Sequence, residues 1–179
     1  MPTTLVFDID GILRDGDREL ARIETGDEGA YARVSSGSRA YDIARKGREG
    51  WHFSLLDPSG ARTLAEFRPA RLGRGGVIAG DNLTMHLRSH LLKARHWTIS
   101  SPEGMSAAIA CRTGLERVSP DGAPRVVVAP TCRPELVLSE LGEATTHEGA
   151  APMLAFACWL IIEWELMPNV GMGSSGVGP

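Results

Sequence analysis

The chain has 179 residues, 42% of them hydrophobic and 23% charged, with a formal net charge of −3 at pH 7. That usage excludes a disordered chain, a fibre and a membrane bundle, and the length suits one domain able to bury its own core. The negative balance gives no global attraction to nucleic acid or anionic lipid, so such a partner has to meet a local patch. Cys111, Cys132 and Cys158 are odd in number and far apart, with Cys158 in the most apolar stretch, which fits a reducing compartment. The opening MPTTLVFDIDG has no basic segment followed by an apolar run, so the expectation is a cytoplasmic protein. Lysine occurs only at Lys46 and Lys93 while arginine is frequent, a high-GC coding bias common in bacteria.

From Thr4 to about Leu138, short runs of alternating or β-branched apolar residues are broken by Gly, Pro and Asp turn signals. In chain order the predicted strands are TLVFDI, ELARIET, AYARVSS and AYDIAR, then WHFSLLD, TLAEFRP, GGVIAG and LTMHLRSHLL. HWTISS, SAAIACR, LERVS, RVVVAP and ELVLSEL follow. Asp15-Gly16 and Asp121-Gly122 suit two-residue hairpin turns, and Asp57-Pro58-Ser59-Gly60 suits a type I turn. No amphipathic helix separates the strands as a parallel sheet requires, so the pairing is expected to be antiparallel. A faint repeat runs through this region: Trp51-His52-Phe53-Ser54 leads into Pro58-Ser59-Gly60, and Trp97-Thr98-Ile99-Ser100 into Pro102-Glu103-Gly104.

After Thr145-Thr146 the chain becomes GAAPMLAFACWLIIEWELMP. A Thr cap, Glu148 near the positive end of the dipole and Pro152 in the first turn predict a helix start, and Pro168 its stop, giving a helix over about 149–167. No charge falls between Ala150 and Ile162, so the helix has no wet side and must be buried all round, with Met153, Leu154, Phe156, Trp159, Leu160 and Ile161 as its core residues. The run is too short for a transmembrane span, which needs about twenty apolar residues. Residues 168–179, rich in Gly and Ser, are expected to form a disordered tail after a single domain over 1–167. Many antiparallel strands and one all-round apolar helix point to a mainly β fold: a closed antiparallel barrel of roughly ten to twelve strands around a buried C-terminal hydrophobic helix. The alternative leaves the helix outside a hollow barrel that carries an apolar ligand, at odds with a helix lacking any polar face.

In this architecture the chain resembles the tubby-like barrel superfamily of tubby C-terminal domains, phospholipid scramblases and LURP-one-related proteins. The resemblance rests on the strand meander, on WHFSLLDPSGARTLAEFRPARLGRGG with its Trp strand, turn and basic return strand, and on the final helix AAPMLAFACWLIIEW. It implies about twelve strands around the helix and a non-catalytic binding or scaffolding module without a cofactor. Tubby domains bind phosphoinositides through basic side chains, and an anionic membrane surface or a protein is the implied partner.

Phe7-Asp8-Ile9-Asp10-Gly11 looks like the nucleophile motif of haloacid-dehalogenase-type phosphatases, where Asp8 would attack phosphorus and Asp10 act as acid and base beside Mg²⁺. Val77-Ile78-Ala79-Gly80-Asp81 imitates that family's late metal-binding strand but has no second carboxylate at Met85, and the αβ repeats are missing, so a hairpin strand is favoured. His86 and His90 share a face, but no third metal ligand follows at useful spacing; His52, His96 and His147 are scattered. Cys132 has no adjacent base, and neither a nucleophile elbow nor a phosphate-binding loop is present.

Charge distribution is more informative. Asp8, Asp10, Asp15, Asp17, Glu19, Glu24, Asp27 and Glu28 make the start acidic, and no lysine or arginine follows Arg133. Between them Arg62, Arg68, Arg71, Arg74, Arg88, Lys93 and Arg95 face only Glu66 and Asp81. Arg68, Arg71, Arg74, Arg88, Lys93 and Arg95 are therefore the candidate anion- or lipid-binding residues, against the alternative that they solvate outward strand faces and pair with the acidic ends. Nucleic acid is disfavoured, because aromatic residues are only 6% and sit in core-like runs.

Overall fold

The computed structural model of the chain describes residues 4–25, 31–46, 51–71, 74–81, 83–90, 93, 95–112, 115–118, 124–127, 134–146 and 148–166. Along the first half run β1 (Leu5–Phe7), β2 (Ile12–Asp15), β3 (Arg18–Thr25), β4 (Ala32–Ser36), β5 (Arg39–Arg45), β6 (Phe53–Leu56) and β7 (Thr63–Pro69). They are followed by β8 (Gly75–Gly80), β9 (Thr84–Ser89), β10 (His96–Ser100), β11 (Ser106–Arg112), β12 (Leu115–Val118), β13 (Pro124–Val127), β14 (Glu135–Ser139) and the helix α1 (Ala151–Leu166). From β1 to β11 each strand pairs antiparallel with the next, and β14 lies between β11 and β1, so twelve strands close a barrel with no open edge. The predicted strands LERVS and RVVVAP correspond to β12 and β13, a separate two-stranded hairpin between β11 and β14.

The turn chemistry works as the sequence suggests. Gly16 takes the left-handed φ of 58° between β2 and β3, and Gly60 (φ 69°) donates its amide to the Asp57 carbonyl at 2.7 Å. The repeat reappears as geometry: Gly104 (φ 88°) donates to the Ser101 carbonyl at 3.3 Å, so β6–β7 and β10–β11 turn on the same x-Pro-x-Gly design. Strand ends move where side chains intervene. TLVFDI stops at Phe7 because Asp8 turns the chain, and LTMHLRSHLL ends at Ser89. β2 was not among the predicted strands: it is short, and Ile12 and Leu13 are both buried, which hides the alternation. The Asp121-Gly122 turn, Cys132, His147 and the tail 168–179 lie outside the described residues.

Inward positions are apolar, among them Phe7, Leu13, Ile23, Val34, Ile43, Leu55, Phe67, Ile78, Leu87 and Ile109. They converge on α1, in which every residue from Ala151 to Ile162 is buried, including Met153, Leu154, Phe156, Trp159, Leu160 and Ile161. Only a complete sheath covers a helix on all faces, so the helix occupies the lumen that the hollow-barrel alternative would leave for a ligand. The cap is corrected. Two 3-10 turns, Glu143–Thr146 and Glu148–Ala150, precede α1, and the buried Thr145 hydroxyl binds the Ser106 amide and carbonyl, both at 2.9 Å, instead of capping the helix.

Strand directions define two mouths. The helix enters beside Gly80, where an added Cβ would lie 3.6 Å from Met153 Cε, and leaves beside Trp97 and Arg74. The exit mouth carries the β1–β2, β3–β4, β5–β6, β7–β8 and β9–β10 connections and the β11–β14 segment; the others belong to the entry mouth. Among the described residues no helix is long and apolar enough to cross a membrane.

Candidate anion-binding groove

The outer face of β7, β8 and β9 holds a groove of about 600 Å³. Its shape follows from side-chain size and register. Arg68 pairs with Val77, and Val77 with His86, while Arg88 stands opposite Gly75. β8 contributes Gly76, Val77 and Ala79 to the lining, a low floor between taller side chains on β7 and β9. Arg68, Arg74, Arg88, His86 and Ser89 bring polar atoms to its walls, and Pro69 and Ala70 close one side. The Gly75-Gly76 pair lets the strands approach: Gly75 has φ 133° and a Cβ there would strike the Leu87 carbonyl oxygen, while one on Gly76 would strike the Arg68 carbonyl oxygen and lie 2.7 Å from the Phe67 ring.

Of the six basic candidates, the fold brings three together here, Arg68, Arg74 and Arg88. Arg71 and Lys93 are exposed on the neighbouring β7–β8 and β9–β10 connections of the exit mouth, beyond the groove lining. Arg95 is also exposed there, with a left-handed φ of 62°, and its carbonyl accepts the Cys111 amide at 2.9 Å. Arg68 reaches Glu66 at 3.3 Å, and Lys46 meets the same carboxylate at 2.5 Å. Hydrogen bonds from Lys46 and then Arg68 hold the Glu66 carboxyl below the usual range. Arg74 lies 3.7 Å from Glu165, which also accepts the Trp97 indole N–H at 2.9 Å and is only 12% exposed. Among the described residues Arg88 has no carboxylate partner, so it is the groove's uncommitted cation. The sequence does not reveal that His86 joins this surface, because only the pairing of Val77 with His86 sets it there; Glu165 reaches Arg74 from the exit end of the helix.

The competing constellations come apart in three dimensions. Asp8 Oδ1 accepts the amides of Asp10 and Ile12 at 3.0 and 2.9 Å, and Oδ2 accepts Arg14 Nε at 3.0 Å, so this carboxylate shapes the β1–β2 turn at the exit mouth. Asp81 pairs with Arg62 at 2.8 Å on the entry mouth, the opposite end of the barrel from Asp8. His86 faces the groove and His90 is exposed past the end of β9; among the described residues no three His, Cys, Asp or Glu side chains are placed to hold a metal. Burial, with a smaller push from Glu165, raises the Cys111 thiol to about 12, and burial also raises Cys158, so both are protonated at neutral pH.

No protein-family model matches the chain, and comparison with curated proteins and with solved structures returns no match.

Proposed function

We propose that this protein is a non-catalytic, tubby-like binding module of the cytoplasm that associates with anionic lipid headgroups through the β7–β9 groove. The twelve-stranded antiparallel barrel around a C-terminal helix supports the architectural part of that reading. The observation that carries the binding part is the convergence of Arg68, Arg74 and Arg88 on one groove floored by small residues, in a chain whose net charge is negative. Low side chains on β8 let a phosphate-sized group reach the strands, where guanidinium groups supply bidentate hydrogen bonds. Arg71, Lys93 and Arg95 extend the positive field along the exit mouth, and each basic group near an anionic surface contributes about 1 kcal/mol.

Cosedimentation of the full chain with vesicles of phosphatidylcholine alone, and of phosphatidylcholine mixed with phosphatidylserine, tests this at low and high salt. Binding is expected only to the mixed vesicles, weakened by salt and lost in Arg68→Glu/Arg88→Glu. Equal pelleting of that variant and the native chain would exclude the groove as the binding site.

A further inference from the structure

The two mouths of the barrel differ in kind. Among the described residues the exposed large apolar side chains are Ile9 (59%), Tyr31 (51%) and Leu166 (44%), and all three stand at the exit mouth. The entry mouth is instead occupied by charged pairs and turns such as Arg62–Asp81 and Asp57-Pro58-Ser59-Gly60.

Behind the exposed residues lies a continuous aromatic path into the core. Trp51 stacks on Trp164 with centroids 4.9 Å apart and planes 6° from parallel, and Trp97 covers Trp164 at 5.5 Å. Phe53 sets its edge against Trp51 at 5.8 Å and against Trp159 at 5.1 Å, and Tyr31 completes the path on Phe53 at 5.6 Å. Trp51 and Trp164 are half-buried, Tyr31 is exposed, and Lys46, Arg71, Arg74, Lys93 and Arg95 lie on the β5–β6, β7–β8 and β9–β10 connections of the same mouth. Amphipathic rings beside basic groups and a single exposed Leu form the combination that settles at a bilayer's headgroup boundary, where the rings straddle polar and apolar zones and the cations meet phosphates.

We propose that the exit mouth is the membrane-facing end of the barrel, docking on an anionic bilayer with Tyr31, Trp51, Trp164 and Leu166 at the headgroup level. This rests on the lipid-binding reading above and adds an orientation to it. Among the described rim residues Asp8 is held by Arg14, and Glu165 by Trp97 and Arg74, while Glu24 is exposed at the same end of β3. The exposed Asp10 lies beside Ile9 on the β1–β2 turn, which is across the rim from the basic β7–β8 connection. The barrel therefore tilts its β4–β10 side, which includes Tyr31, towards the lipid, and Ile9 contributes least.

Vesicles of brominated phosphatidylcholine mixed with phosphatidylserine report the depth of the tryptophans. With the full chain, brominated acyl chains are expected to quench tryptophan fluorescence, and Tyr31→Asp/Leu166→Asp is expected to bind about tenfold more weakly with the quenching lost. Ile9→Asp should bind within about twofold of the native chain, because it lies on the far side. Native-strength binding by the double variant together with no quenching in the native chain would overturn the orientation and leave the groove reading standing, since Arg68→Glu/Arg88→Glu then still abolishes binding. Failure of the native chain to bind anionic vesicles at low salt would overturn both. Should the double variant lose its cooperative melt, quenching of the native chain alone decides.

Discussion

Gly76 shows how tightly a single position can be held. It pairs with Pro69 and Leu87, and an added Cβ meets backbone on one side and the rigid Phe67 ring on the other, neither of which can swing away. Gly76→Ala is expected to cost about 1–3 kcal/mol through overpacking, measured by urea unfolding. Gly149→Ala, with nothing within 4 Å of the new methyl, should change stability by less than about 0.5 kcal/mol. At this scale the sequence was legible where a residue's role depends on its own neighbours in the chain. Cys158 reads as packing because apolar residues flank it on both sides, and it is buried. For Asp8 the sequence favours a place in a hairpin strand; that it shapes the turn after that strand depends on Arg14 and the Ile12 amide, both in the short strand that alternation does not reveal. Charge alone could nominate Arg68, Arg74 and Arg88 as cations; the pairings Arg68 with Val77 and Gly75 with Arg88 are what gather them.

The helix is the element on which the rest depends. Its buried face is its whole circumference, so it supplies the centre of the core that in most sheets comes from a second layer. Removing the chain from Gly149 onward is expected to abolish cooperative thermal unfolding, and Trp159→Ala, which deletes the ring against Phe53 and Phe156, should cost about 3–5 kcal/mol. A soluble truncated chain with a sharp melt would show that the barrel can stand without its axis. The existence and extent of α1 were readable from an apolar run with no polar stripe and prolines at both ends, within two residues of the observed Ala151–Leu166. Its lead-in was not, because Thr145 answers to Ser106 on a distant strand and not to the helix that follows.

Closure is a property of the whole molecule, and one junction tests it. β11 and β14 are neighbours in the barrel, and Arg112 pairs directly with Glu135, although β12 and β13 intervene in the chain. Replacing residues 113–133 with a short Asn-Gly turn is therefore expected to leave the barrel folded, with its melting temperature within about 5 °C of the native chain, followed by circular dichroism. Loss of the cooperative transition would mean that the inserted hairpin helps hold the last strand in place. No local pattern reveals that β14 returns to β1; the sequence pointed to closure only through a helix that needed a complete sheath, and the strand count emerged at the top of the expected range. That same order along the chain sets a timing problem for the cell. Every strand leaves the ribosome before the axis around which it must wrap, and at about 5–20 residues per second the interval between Ser139 and Leu166 lasts on the order of seconds. Throughout it the nascent sheet presents Phe, Ile and Leu faces with nothing to rest against. Assembly is thereby deferred to a single late event, and shielding by chaperones matters most just before the helix emerges.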